Sequence, residues 1–203
     1  MNKLTIPLLA ILIFTINSGM ALAAELTVQP GSSIQAAVSS ANQGDVIIVS
    51  PGTYIESIKI STPNLIIKSQ SGNPDDTIIK ASSNSNIFHV TASNTTISGF
   101  KIESGETGIY LSGCNGCTVT NNNLSGNKIG IYLLNSNYST VSGNKANLNT
   151  GFGVQLINCE GNKVLNNNVN SNARGISSIT SNKNTISSNS ASNNSAYGMW
   201  ISQ

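Results

Sequence analysis

The groups in this 203-residue sequence with the clearest capacity for chemistry are eight carboxylates, three thiols and one imidazole. The carboxylates are Glu25, Asp45, Glu56, Asp75, Asp76, Glu103, Glu106 and Glu160. Cleaving a glycosidic bond with such groups takes two carboxyls at a fixed separation, or acids gathered to hold calcium beside a basic residue. Only Asp75/Asp76 and Glu103/Glu106 lie close together in sequence. The first pair follows Pro74 and reads as a turn. The second has no arranged partner, and Arg174, the sole arginine, stands in a segment without an acid. No catalytic residue is assigned on this pattern, and a non-enzymatic protein is expected.

The thiols are equally sparse. "CNGC" supplies Cys114 and Cys117, a pair that can bridge locally in an exported protein or take a soft metal ion. Cys159 stands apart, and neither histidine nor methionine accompanies the pair, so no metal or cofactor is assigned.

These groups sit on an unusual chain. It is 38% hydrophobic but only 9% charged, and 22 of its 30 asparagines follow position 100. Without Lys3, nine basic and eight acidic side chains remain, too balanced a surface to steer a nucleic acid. The asparagines are not low-complexity filler, because apolar residues keep time among them. Ile97, Val119, Val141, Val164 and Ile186 recur at intervals of 22, 22, 23 and 22 residues. Gly108, Gly130, Gly153, Gly175 and Gly198 recur at 22, 23, 22 and 23, each followed by an apolar residue. Ile102, Leu124, Ala146, Val169 and Ala191 make a third column.

Both halves of each repeat alternate with period two, which describes short strands separated by Asn, Gly and Ser turns. One repeat cannot bury its apolar side alone, so successive repeats must stack. The expected fold is all-β: a single parallel β-solenoid with coils of about 22 residues. Asn122, Asn144, Asn167 and Asn189 then fall one above another at a bend, where asparagine tolerates the left-handed conformation and its amide can bond the next rung. This column is read as a structural ladder. Cys114 and Cys159 share another column two rungs apart, about 9.6 Å, beyond disulfide reach.

The segments "NTTISGFKI", "GCTVTNNNLSGNKIGIYL", "YSTVSGNKANLNTGFGVQL" and "GNKVLNNNVNSNARGI" resemble right-handed parallel β-helix repeats of the pectin-lyase-like superfamily, and within it the NosD-like group also common in archaeal surface proteins, which implies a right-handed parallel β-helix here. "GSSIQAAVSSANQGDVIIVSPGTY" resembles the capping helix, first strand and turn that open such chains. Ile34, Ala37, Val38 and Ala41 share one helical face, Ser32 or Ser33 can cap its start and Gly44 its end, giving a short N-terminal capping helix over about 33–43. The resemblance covers residues 25–203. It implies either an accessory role in copper delivery or, by analogy with pectin-degrading relatives, a polysaccharide lyase or glycoside hydrolase. The "NTD", "DD" and "GHG" motifs of related polygalacturonases, and the calcium-holding aspartates of pectate lyases, are absent in their usual setting.

Alternation along "GIYL" turns Tyr110 and Tyr132 outward, and their column continues through Gln155, Ser177 and Trp200. Aligning Val90 with Leu111 brings His89, the only histidine, to the same column. Aromatic and amide groups on a flat sheet can contact sugar rings and their hydroxyls, so His89, Tyr110, Tyr132, Gln155 and Trp200 are the candidate glycan-binding residues.

The first 23 residues have a basic start, an apolar run short for a membrane span and a small-residue site at Ala21–Ala23, the pattern of a cleaved signal peptide. The domain is therefore expected over 24–203, with regular repeats from about 94, in a secreted, cell-surface or periplasmic protein that meets the membrane only through its signal. Its expected partner is a polysaccharide or envelope glycan. Sequons at Asn94, Asn123, Asn137 and Asn193 offer glycosylation sites beside turns. "GMWISQ" reads as a final strand without a cap, an edge open to self-association.

Overall fold

The computed structural model describes residues 22–202; the proposed signal peptide lies almost wholly outside them. The chain winds through about eight turns of a right-handed parallel β-helix. Every strand pairs parallel with its counterpart one coil away. Three sheets result, of eight, seven and three strands. The eight-stranded sheet contains Thr96–Ser98, Thr118–Thr120, Thr140–Ser142, Lys163–Leu165 and Thr185–Ser187, in which the apolar column from Ile97 to Ile186 is in register. The seven-stranded sheet contains Ile58–Ile60, Asn86–Val90, Thr107–Ser112, Ile129–Leu134, Phe152–Ile157, Arg174–Ile179 and Tyr197–Ser202. The three-stranded sheet, Gly52–Ile55, Thr77–Lys80 and Lys101–Glu103, continues as single bridges through Asn123, Lys145, Asn168 and Ser190.

A helix at Ile34–Ser40 buries Ile34 and Val38 against the first coil. Ser33 caps it by accepting from the Ala36 amide, and Glu56, a coil away, accepts from Ile34 N at 2.8 Å and Gln35 N at 3.0 Å. The carboxylate thus satisfies first-turn amides that have no partner inside the helix. The helix ends at Ala41, short of Gly44.

The corners explain the asparagines. Gly99, Asn121, Gly143, Asn166 and Ser188 all have positive φ and occupy one corner. The left-handed residue therefore precedes the ladder asparagine, contrary to the sequence expectation that placed both roles on one residue. The division of labour is physical: the left-handed residue turns the chain, and the next side chain can then point inward. Asn144 Oδ1 accepts from Asn122 N at 3.0 Å and Asn122 Nδ2 at 3.2 Å, and Asn167 and Asn189 repeat the contact up the stack. A second inward column, unnoticed in the sequence, runs through Asn127, Asn149, Asn172 and Asn194, each oxygen accepting from the backbone amide one coil below. Their spacing of 22, 23 and 22 was available as the signal.

The column glycines have a steric cause. A Cβ on Gly108 would lie 2.7 Å from the Gly130 oxygen, and one on Gly130 would lie 2.6 Å from the Gly153 oxygen, so a side chain would force the stacked coils apart.

Candidate functional site

The seven-stranded sheet brings the outward residues into one column. Lys59 pairs with His89, His89 with Tyr110, Tyr110 with Tyr132, Tyr132 with Gln155, Gln155 with Ser177 and Ser177 with Trp200. Ile109, Leu111, Ile131, Leu133, Val154 and Leu156 on the same strands are buried, which fixes the orientation of their neighbours.

Parallel stacking at strand spacing gives the rings their geometry. The His89 and Tyr110 ring centres are 5.0 Å apart and inclined by 18°, and those of Tyr110 and Tyr132 are 5.1 Å apart and inclined by 16°. Inner ring faces are thus used against one another. The stack offers its edges and phenolic oxygens. Beyond it the column dips: Gln155 is only 8% exposed and Ser177 fully buried, whereas Trp200 is 53% exposed. Ser177 is short, lies between Gln155 and Trp200 and is covered by them, and its buried hydroxyl makes no hydrogen bond within the protein. At the other end, Ser57, Lys59, Ser85, Asn86 and His89 bound an open cavity of about 220 Å³. Burial, and then the Lys59 charge, lower the pKa of His89 from its ordinary value.

The carboxylates lie elsewhere, and six of the eight are engaged by other groups. Asp45 accepts from Ala24 N and Asn42 N; Asp76 accepts from Asn73 Nδ2. Glu103 and Glu106 do not form an acid pair: Glu103 meets Lys80 at 3.0 Å and Lys101 at 3.1 Å, while Glu106 meets Lys128. Burial opposes the charge of Glu103, but the hydrogen bonds and charges of Lys80 and Lys101 outweigh it and hold the carboxyl below the usual glutamate range. Glu160 pairs with Lys183 at 2.7 Å.

The thiols face the interior. Cys114 and Cys117 are free and buried, with their sulfurs 3.3 Å apart. Cys117 donates to Cys114, and this bond together with burial pushes the Cys117 pKa far above the usual thiol range. Cys114 also meets Ser136, and burial raises Cys159. Among the described residues no three histidine, cysteine or acidic side chains gather as a metal site. The same bond from Cys117 pushes Cys114 below the usual thiol range, so the pair offers one thiolate in a buried interior with no third ligand beside it, and these residues do not make up a copper centre.

Of the sequon residues, Asn94 is left-handed and donates to Asn64 Oδ1 at 2.9 Å, and Asn193 is left-handed and exposed. Asn123 and Asn137 are partly buried and accept from Ser125 N and Glu160 N.

A structure of this shape has known counterparts. A pectate lyase superposes with a TM-score of 0.67 at 16% identity, covering 79% of this chain and 51% of that one. A pectin methylesterase crystallised with a hexasaccharide superposes at 0.55 with 14% identity, covering 78% and 55%. These likenesses establish the fold alone. In sequence, a cell surface glycoprotein of Methanothermus fervidus is 35% identical over 125 residues, which is 59% of this chain but 20% of the relative. The chain thus spans about a fifth of the length of that curated relative. The family profile described as periplasmic copper-binding protein (NosD) matches residues 38–203, from inside the capping helix through every regular coil. With that match covering most of the sequence, the chain belongs to the NosD family.

Proposed function

We propose that this is an exported envelope protein whose β-helix binds polysaccharide along the outer face of the seven-stranded sheet. The observation that carries this reading is the single register of His89, Tyr110, Tyr132, Gln155 and Trp200. Polar edges at the repeat of the strands suit a ligand that is itself a repeating chain of hydroxyls. The family description as periplasmic and the relative's as a cell surface glycoprotein support a location outside the cytoplasm. Tethered carboxylates favour binding over acid-base cleavage. A glycan array probed with residues 24–203 tests the proposal. Binding should weaken at least about tenfold in Tyr110→Ala/Tyr132→Ala. An array without any ligand, or equal binding by the folded double variant, would refute it.

A further inference from the structure

The corner that leads from the seven-stranded sheet to the eight-stranded one carries inward hydroxyls and amides, each accepting a backbone amide from the coil below. Ser139 Oγ accepts from Cys117 N at 3.1 Å, Asn162 Oδ1 from Ser139 N at 2.8 Å and Asn184 Oδ1 from Asn162 N at 2.8 Å. The coil between Thr107–Ser112 and Thr118–Thr120 departs from this pattern, because there two thiols, Cys114 and Cys117, lie buried with their sulfurs 3.3 Å apart.

The turn between them is fixed from both sides. Gly113 and Gly116 have φ of 66° and 67°, and a Cβ on Gly116 would lie 2.4 Å from Asn94 Oδ1. Asn115 N donates to Ser93 Oγ in the coil below at 3.0 Å, and Asn115 Oδ1 accepts from Asn137 N in the coil above at 3.0 Å. A backbone held in this way keeps the two sulfurs together, and a disulfide bond of about 2.0 Å is only about 1.3 Å shorter than their present separation.

Loss of both S–H hydrogens would strand no neighbour. Ala92 O, which Cys117 reaches at 3.4 Å, keeps the Thr95 hydroxyl at 3.0 Å, and Asn115 O keeps the Asn94 amide at 2.8 Å. Ser136 Oγ, 3.8 Å from Cys114 Sγ, keeps its bonds to Cys114 N and Leu134 O. A bridge therefore leaves these polar groups satisfied. Cys159 is the contrast: it is buried two coils above Cys114 and donates to Ile157 O at 3.2 Å and Leu133 O at 3.5 Å.

We infer that Cys114 and Cys117 join as a disulfide across the "CNGC" turn, a covalent clasp at one corner of the solenoid, while Cys159 stays a thiol. This rests on the exported location proposed above and is independent of polysaccharide binding. The oxidant is a disulfide, small or borne by an oxidoreductase, of the kind that operates outside the cytoplasm. During folding, while the corner is open to solvent, one cysteine thiolate attacks a sulfur of the oxidant and releases the other as a thiol. The second cysteine sulfur then displaces the remaining oxidant sulfur. The two cysteine protons end on the two departing thiols, so one disulfide is reduced for the one formed.

The test is refolding of the reduced, denatured exported chain, residues 24–203, in a buffer of oxidised and reduced glutathione, then alkylation with iodoacetamide in denaturant and mass spectrometry. One alkyl group per chain is expected, on Cys159, and the peptide holding Cys114 and Cys117 should be lighter by two hydrogen atoms; prior reduction should expose all three thiols. Reductant should lower the melting temperature of the oxidised protein by about 3–6 °C. Cys114→Ser and Cys117→Ser should each lose this response, whereas Cys159→Ser should keep it. Three alkylatable thiols after refolding, or a bridge to Cys159 or to a second chain, would overturn the disulfide and leave the exported location standing. A melting temperature unmoved by reductant would overturn the clasp. A bridge that forms in glutathione but is missing from protein taken from its native envelope would overturn the exported location, and the proposal with it.

Discussion

Before Phe100 and after it, the molecule fills the same interior by two chemistries. The earlier coils bury Ile47, Ile58, Ile60, Leu65, Ile67 and Ile79 with three aromatic rings, Tyr54, Phe88 and Phe100. No asparagine is buried there. From Asn122 onward, buried asparagines appear in every regular coil but the last, Asn122, Asn127, Asn144, Asn149, Asn162, Asn167 and Asn172, and no buried aromatic follows. Phe100 marks the change: its amide donates to Asn122 Oδ1 at 3.1 Å, the lowest contact of the ladder, while its ring meets Phe88 at a centre distance of 5.9 Å. Irregular coils, interrupted by the helix and the Pro74–Asp76 loop, leave space of varying shape that large apolar side chains fill. Identical coils leave backbone amides at the same place on each rung, and one residue type can satisfy them all.

Cutting into the apolar half should produce the largest effect. Phe100→Ala removes a fully buried ring from a close-packed interior and should cost about 3–5 kcal/mol, read by chemical denaturation. In the asparagine half, Asn144→Leu should cost about 1–3 kcal/mol despite adding apolar volume. It strips the acceptor from Asn122 N, which is left buried and unsatisfied, and removes one donor from Val119 O. A midpoint unchanged from wild type would mean that the amides contribute nothing net, and the contrast between the halves would collapse to one of shape. The proposed glycosylation of Asn94 and Asn193, exposed in the structure, is checked by mass spectrometry of native material.

These two substitutions also show what was legible in the sequence. Columns such as Ile97 to Ile186 could be read because parallel stacking converts a fixed spacing into direct pairing, and the register agrees residue by residue. The same spacing placed His89, Tyr110, Tyr132, Gln155 and Trp200 together. Periodicity says which residues share a column and nothing of how each side chain turns. It therefore missed that Asn121, not Asn122, takes the left-handed corner, that ring faces are spent on one another, and that Ser177 is covered by longer neighbours. Arg174 was visible in the sequence only as an arginine without an acid beside it, and Lys59 gave no signal, because neither repeats along its column.

A smaller effect probes the joint between helix and first coils. Glu56→Ala removes the acceptor of Ile34 N, Gln35 N and Ser33 Oγ, though Ser33 still caps Ala36 N. A loss of about 1 kcal/mol is expected, confined to the end of the solenoid. Hydrogen exchange should therefore speed up at the helix while the amides of Asn122 and Asn144 stay protected. Equal acceleration in both places would show that the two halves unfold as one unit and that their separate chemistries do not make separate stabilities.

The smallest effect comes from His89, on the surface that both halves share. Its folded pKa lies below the ordinary value of 6.5, through burial first and the Lys59 charge second. Between those two values the unfolded chain binds more protons than the folded one, so stability rises with pH across that window. The contribution is whole above about 6.5 and is lost as pH falls through the folded pKa. Because the ring is half-exposed, solvent screens the interaction, and the melting temperature should drop by only about 1 °C on acidification through this range. Lys59→Gln should shrink that drop without abolishing it, since burial remains, and His89→Gln should remove it. An undiminished drop in His89→Gln would assign the acid sensitivity to other groups. Glu103 is the natural one, but it acts lower: its depressed pKa contributes stability above the ordinary carboxylate range that is lost only as pH falls through its folded pKa. A melting series across both ranges therefore separates the imidazole of the seven-stranded sheet from the ion-paired carboxylate of the three-stranded one.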